Sequence, residues 1–294
     1  MWPFGKKSES RFGQYFVTRL MHKGEKSLVF EATTMTSDEP VVIKAYTKAY
    51  DRAAAQLERK YDLLSEAQVG MMLNPGTWDK SKEMPIVATL GEGREYGKRS
   101  GPRYIVLEFV QGVCLKRLIS CNDPALQQNV GSYVFQLCRA LREVHRRDLV
   151  FRDFCSDNVV VGKGGKLKVI DLGFVAPAGK AFEERTGTAS YMSPEQVQGK
   201  PLGFESDVYA VGVVIYEMLM AELPFVSKIE GDDEASAARR RLDVMRMHVE
   251  VPPPELPKRV RERTRVLSDV VIRCLAKKPQ DRFRTIDELM AALV

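Results

Sequence analysis

The chain is poor in paired or clustered chemistry. Its five cysteines, Cys114, Cys121, Cys138, Cys155 and Cys274, form no Cys-x-x-Cys pair and leave an odd count. That excludes a disulfide framework and a cysteine-built zinc site, and points to a reducing, cytoplasmic home. No stretch approaches the roughly 18 apolar residues of a spanning helix, so no membrane span is expected. The Met1 to Ser10 start lacks the apolar core of a signal peptide and reads as a frayed tail. No internal repeat is present, and Pro252-Pro253-Pro254 is the only low-complexity hint. Strong charge bias is also missing. The net charge is +6, but it is spread along the chain, and only Arg239, Arg240 and Arg241 form a tight run, read as a solvated face. Nucleic acid is therefore not an expected partner, although a phosphate-bearing ligand is compatible with the balance.

What is present fits a sizeable core: 294 residues with 44% hydrophobic content. Two textures divide it. Short β-like runs dominate first, at Tyr15 to Leu20, Ser27 to Thr33, Val41 to Ala45, Ile86 to Leu90 and Tyr104 to Phe109. One helix-length segment, from about Ala53 to Leu73, interrupts them. After Gly112 apolar residues recur at three-to-four spacing, over Tyr133 to His145, Ser206 to Met220 and Val266 to Lys277. The change of texture falls near Glu108 to Gly112. The expected fold class is α+β and two-lobed, with a small antiparallel sheet carrying one helix, then a larger, mainly helical lobe. The boundaries are a tail over 1–12, a first lobe over 13–111 and a second over 112–294.

The most informative stretch is Phe151-Arg-Asp-Phe-Cys-Ser-Asp-Asn158, followed by a valine run, a Gly-Lys-Gly-Gly turn and Lys168-Val-Ile-Asp171-Leu-Gly173. Asp153 and Asn158 open onto one strand, and Asp171 closes the strand that returns. A hairpin brings its two ends together, so these polar groups should converge as a site for nucleotide phosphates and Mg²⁺ requires. The stretch resembles the catalytic loop and metal-binding motif of eukaryotic-like (Hanks-type) serine/threonine protein kinases of bacterial type.

That resemblance implies ATP and Mg²⁺ as cofactors and a protein with a Ser or Thr hydroxyl as substrate. Asp153 would accept or orient the hydroxyl proton, Arg152 would meet acidic or phosphorylated groups on the activation segment, and Asn158 and Asp171 would hold the metal. Lys44, ending the β-branched run from Val41, matches the nucleotide-binding lysine. Glu66 is its expected partner, with Glu58 the competitor on the same helical segment, because Leu73-Asn74-Pro75 follows Glu66 at the family's spacing. Gly24, Val29 and Val42 would line the nucleotide, with the backbone of Glu108 and Val110 on the adenine edge and Leu107 as gatekeeper.

Further along, Thr186-Gly-Thr-Ala-Ser-Tyr-Met-Ser-Pro-Glu195-Gln resembles the family's substrate-docking loop. There Thr188 favours Ser/Thr acceptors, and Glu195 should pair Arg282. Asp207 matches the buried aspartate that holds the catalytic-loop backbone. His145 and His248 are expected to be structural, whereas His22 falls in the phosphate-loop region.

Three departures stand out. Phe151 replaces the usual His, Cys155 replaces the catalytic-loop Lys, and His22-Lys-Gly24-Glu-Lys-Ser27-Leu-Val29 keeps only one glycine of the phosphate loop. A neutral thiol offers no charge to a transferred phosphoryl group, so slowed transfer is expected. The departures leave a second expectation open, a pseudokinase that signals by binding nucleotide or protein. No Ser or Thr lies between Gly173 and Thr186, and Glu183 and Glu184 are candidates to supply constant negative charge to Arg152.

Overall fold

The computed structural model describes residues 11–34, 38–73, 84–94 and 101–294. The Met1 to Ser10 start and the Asn74-Pro75 ending lie outside them. The chain divides into two compact units, Met1–Gln111 and Gly112–Val294.

The first unit is built on an antiparallel sheet. Its strands are β1 (Arg11–Phe12), β2 (Tyr15–Lys23), β3 (Ser27–Thr34), β4 (Pro40–Tyr46), β5 (Thr89–Arg94) and β6 (Arg103–Glu108), in the order β1-β2-β3-β4-β6-β5. Strand alternation sorts the residues onto two faces. Phe30, Ala32, Val41, Ile43, Ala45, Tyr104 and Val106 bury on one side with Phe12, where the Phe12 ring meets Tyr104 edge-on at 5.1 Å. The register Val29↔Lys44 and Val42↔Leu107 therefore gathers Val29, Val42, Lys44 and Leu107 on the opposite face.

The segment read as one helix over Ala53 to Leu73 is two helices, α1 (Lys48–Tyr61) and α2 (Glu66–Leu73). Asp62 turns left-handed at φ 51° and its N–H bonds the Glu58 carbonyl, which stops α1. A reciprocal cap then starts α2: Gln68 N–H donates to Ser65 Oγ at 3.3 Å, and Ser65 N–H donates to Gln68 Oε1 at 2.9 Å. The Ser65-x-x-Gln68 spacing is the local signal for this break. Arg103 on β6 ties down α1 through Asp51 and Glu58.

The second unit is mainly helical. It begins with β7 (Gly112–Cys114), α3 (Leu115–Ser120) and α4 (Pro124–His145). Asp123 accepts from the N–H groups of Ala125 and Leu126, and Pro124 occupies the first turn, so α4 starts nine residues before the apolar periodicity is evident. Short strands follow: β8 (Leu149–Val150), β9 (Val159–Gly162), β10 (Leu167–Val169) and β11 (Ala176–Pro177), with β9 between β10 and β7 and β11 paired to β8. Then come α5 (Pro194–Val197), α6 (Phe204–Met220), α7 (Glu234–Glu250), α8 (Lys258–Arg263), α9 (Arg265–Cys274) and α10 (Ile286–Ala291).

Helix α6 is the axis of this unit, with every residue from Ser206 to Leu219 buried. Each fully buried Val or Ile there contributes roughly 1.5–3 kcal/mol. Gly212 lets α9 approach closely, since a Cβ at that position would fall 2.5 Å from the Cys274 Cβ. The Arg239 to Arg241 run lies on α7, whose first turn is capped by Asp233.

Candidate active site

In the first unit, Lys44 Nζ lies 3.0 Å from both carboxylate oxygens of Glu66. Tyr46 donates its hydroxyl to Glu66 Oε2, so the acid is fixed from two sides. Glu58 is engaged by Arg103. Side-chain exposure is 14% for Lys44 and 5% for Glu66, a setting in which the ion pair orients the lysine as well as neutralising it. Gly24 sits in the β2–β3 turn, where its N–H donates to the Ser27 carbonyl at 3.0 Å. Lys23 and Lys26 beside it are exposed. Glu108 ends β6, where its N–H bonds the Ala88 carbonyl and its side chain accepts from Ala88 N–H. Leu107 is buried in β6, while Val110 follows the strand and is half-buried.

In the second unit, the loop after β8 is held by one buried carboxylate. Asp207, in the first turn of α6, accepts from Phe151 N–H at 2.7 Å and Arg152 N–H at 3.2 Å. His145 Nε2 meets the same carboxylate at 2.8 Å, and its ring stacks on Phe204. This anchoring sustains Arg152 at φ 65°, a left-handed conformation costly for a non-glycine residue. Phe151 is buried and packs edge-on against Phe154 at 5.4 Å. At this position the loop therefore makes an apolar contact.

The β9–β10 hairpin does the gathering. Val159 pairs with Val169, and Ile170 N–H donates to the Asn158 carbonyl at 2.9 Å, which brings Asn158 beside the segment entering Asp171. Asn158 Nδ2 donates to the Asp153 carbonyl at 3.1 Å, so Oδ1 is the amide atom left to face a cation. Asp171 Oδ1 accepts from Gly173 N–H at 2.9 Å. An amide oxygen and a carboxylate form a hard donor set suited to Mg²⁺, which needs only one or two protein oxygens when phosphates complete its shell.

Asp153 Oδ1 accepts from Thr188 N–H at 2.8 Å. Between them runs Gly187 at φ 111°, where a Cβ would come within 2.9 Å of the Arg152 carbonyl. Gln196 completes the junction, its Nε2 donating to the carbonyls of Arg152 at 2.7 Å and Thr186 at 3.0 Å. Arg152 itself donates to Thr186 Oγ1 at 2.8 Å, and its guanidinium carbon lies 3.5 Å from the centre of the Phe182 ring. Sequence reasoning overlooked both Phe182 and Gln196 because neither partner is near in sequence.

Cys155 is 2% exposed. Burial first, then Asp153, push its thiol up to about 12, and Thr188 Oγ1 lies 3.9 Å from the sulfur. The thiol is a neutral, buried group and not a redox handle. Behind it, Ser156, Tyr191 and Glu217 form a buried chain with hydrogen bonds of 2.9 and 2.8 Å, and Lys116 pairs with Glu217.

The scaffold pair is bidentate: Arg282 Nη1 and Nη2 meet Glu195 Oε1 and Oε2 at 2.7 and 2.9 Å. Burial opposes the charge on Glu195, but Arg282 and Ser206 outweigh it and hold the carboxyl below its usual range. His248 is buried between Tyr209 and Phe225.

Residues 15–293 match the family model described as the protein kinase domain. The serine/threonine-protein kinase PknB of Mycolicibacterium smegmatis is 31% identical over 217 residues, 71% of this chain and 33% of that protein. A probable serine/threonine-protein kinase of Clostridium acetobutylicum is 31% identical over 203 residues, 68% of this chain and 29% of its own length. The chain thus spans about a third of the length of these curated relatives. No helix among the described residues is long and apolar enough to cross a membrane. The motif order, the hairpin and the match across nearly the whole length place this chain in the protein kinase domain family, in its bacterial serine/threonine branch.

Proposed function

We propose that the chain is an ATP- and Mg²⁺-dependent serine/threonine protein kinase acting on a protein substrate in the cytoplasm. The observation that carries this reading is the bond from Thr188 N–H to Asp153 Oδ1, because it seats the acceptor-binding loop on the carboxylate assigned to the acceptor proton. Asp153 orients the substrate hydroxyl and takes up its proton, and the Arg152 and Gln196 contacts fix that carboxylate's loop. Asn158 and Asp171 would hold the metal, while Lys44, aligned by Glu66, would bind phosphate oxygens. When bound, Mg²⁺-ATP supplies the transferable phosphoryl group and neutralises its charge. Val29 and Val42 flank Lys44 on the sheet face that would meet the nucleotide, with Gly24 in the adjoining turn and the Glu108 and Val110 backbone for the adenine.

Cys155 places no cation beside the reacting phosphoryl group, so transfer is slowed by roughly 10²–10³ relative to a lysine-bearing loop. The same residue favours the second reading, a pseudokinase that binds nucleotide or protein without transfer. Phosphate transfer from labelled ATP to one acidic and one basic generic protein, run beside Asp171→Ala, separates the two. Transfer that Asp171→Ala abolishes supports the kinase. No transfer, together with a Mg²⁺-dependent rise in Tm on adding ATP, supports the pseudokinase.

A further inference from the structure

A surface pocket of about 360 Å³ lies in the second unit, between the Ala189–Tyr191 turn, the Leu223–Ser227 loop and α7. Its walls combine two chemistries. Leu223, Phe225 and Val226 are apolar, and Val226 is 58% exposed; Arg240 and Arg241 bring positive charge to the opposite side.

Both arginines are positioned without being neutralised. Arg240 donates to the Gly231 carbonyl, and Arg241 donates to the Arg185 carbonyl at 3.0 Å. Carbonyls fix a guanidinium but leave its charge, and among the described residues none of Arg185, Arg240 and Arg241 makes an ion pair. The carboxylate that does reach the wall is already matched: Asp243 accepts from Ser227 Oγ at 2.7 Å and pairs with Arg246 at 2.9 Å. Near the catalytic loop, the buried Glu217 is likewise paired, with Lys116. The charged side chains that line the pocket, Arg240 and Arg241, are therefore both positive.

Position ties the pocket to the acceptor. Ser190, in its wall, follows by two residues the Thr188 whose N–H bonds Asp153, a span of about 7 Å of chain. A segment seated there lies within a few residues of the hydroxyl held at Asp153. Resting on the kinase reading above, we propose that this pocket selects the protein substrate, taking an aliphatic or aromatic side chain flanked by one or more Asp or Glu carboxylates. The apolar anchor enters between Leu223 and Val226, and the carboxylates meet Arg240 and Arg241.

The test uses the full chain and three fluorescent peptides sharing one Thr acceptor and one Leu, with the flanks Glu, Ser or Lys. Binding is read by anisotropy, and transfer by labelled ATP. Two exposed charge contacts make the Glu peptide bind about tenfold tighter than the Lys peptide, and raising the salt concentration narrows that ratio. Arg240→Glu reverses the order of the two peptides, and Val226→Asp weakens the Glu peptide. Ratios measured within one variant are insensitive to its overall stability, and Arg240→Gln gives an intermediate ratio. Equal binding of the peptides, or an order unchanged by Arg240→Glu, overturns the pocket, as does a single-stranded oligonucleotide that displaces the Glu peptide at lower concentration. Preferential binding without phosphate transfer keeps the pocket and removes the kinase reading. Transfer without preference does the reverse.

Discussion

The Arg152 guanidinium carbon lies 3.5 Å from the centre of the Phe182 ring, while its Nη2 donates to the Thr186 hydroxyl. This aromatic and hydroxyl seat orders the activation segment around the arginine in a stretch without Ser or Thr between Gly173 and Thr186. Phe182 is 5% exposed. Removing it loses packing and a cation–π contact together, roughly 3–5 kcal/mol of local stability. Phe182→Ala is therefore expected to expose residues 174–186 to limited proteolysis and to reduce transfer, with Phe182→Tyr recovering most of both. Unchanged protection in Phe182→Ala would refute this role.

Cys155 should resist alkylation. Its thiol is buried and pushed up to about 12, whereas Cys121 is exposed. Iodoacetamide at pH 8 followed by peptide mass spectrometry should modify Cys121 in the native protein and leave Cys155 intact until denaturant is added. Early labelling of Cys155 would contradict its burial. In the same loop, Cys155→Lys should raise transfer by about tenfold or more; an unchanged rate would show that the missing charge at this position does not limit transfer.

The Glu195–Arg282 pair is a stability element. Its guanidinium side chain is 0% exposed, so removing one charge strands the other in the interior. Glu195→Gln should cost about 3–5 kcal/mol, read as a fall in Tm of roughly 8–15 °C for a unit of this size. A fall under 2 °C would show that the charge is relieved elsewhere. The folded carboxyl is held below its usual range. Its contribution is therefore present above the unfolded value near 4.5 and is lost as pH falls through the folded value.

His248 adds a second acid-sensitive element. Burial first, then Lys277, lower its pKa from 6.5 to about 3. Its Nδ1 lies 2.8 Å from the Tyr209 hydroxyl, and Lys277 donates to its carbonyl. Between pH 6.5 and 3 the unfolded chain binds a proton that the folded chain refuses, so stability falls as pH drops through that window. The difference between wild type and His248→Gln, followed by urea unfolding from pH 7 to 4, should lose this slope in the variant. Parallel curves would sink the assignment.

The family was legible in sequence because its motifs are local. Phe151 to Asn158 and Lys168 to Gly173 announce a loop and a returning strand, and the β-branched run Val41-Val42-Ile43 announces a strand that ends at Lys44. A single helix over Ala53 to Leu73 was the misreading, since its apolar periodicity runs on while the break depends on a left-handed Asp62 and a two-residue cap. Sequence alone favoured Glu66 over Glu58 as the partner of Lys44 through the Leu73-Asn74-Pro75 spacing, since both glutamates share a segment. The tertiary structure turned Glu58 to Arg103 and Glu66 to Lys44 by packing α1 and α2 separately. In the same way, the charge run Arg239 to Arg241 read as a solvated face, and only the folding of α7 against the Leu223–Ser227 loop set two of those arginines beside an apolar wall. Composition and spacing determined the change from a strand-rich to a helical part and the order of the motifs; contacts between residues 30 to 90 apart, such as Arg152 with Phe182 and Glu195 with Arg282, are decided by packing that no local pattern encodes.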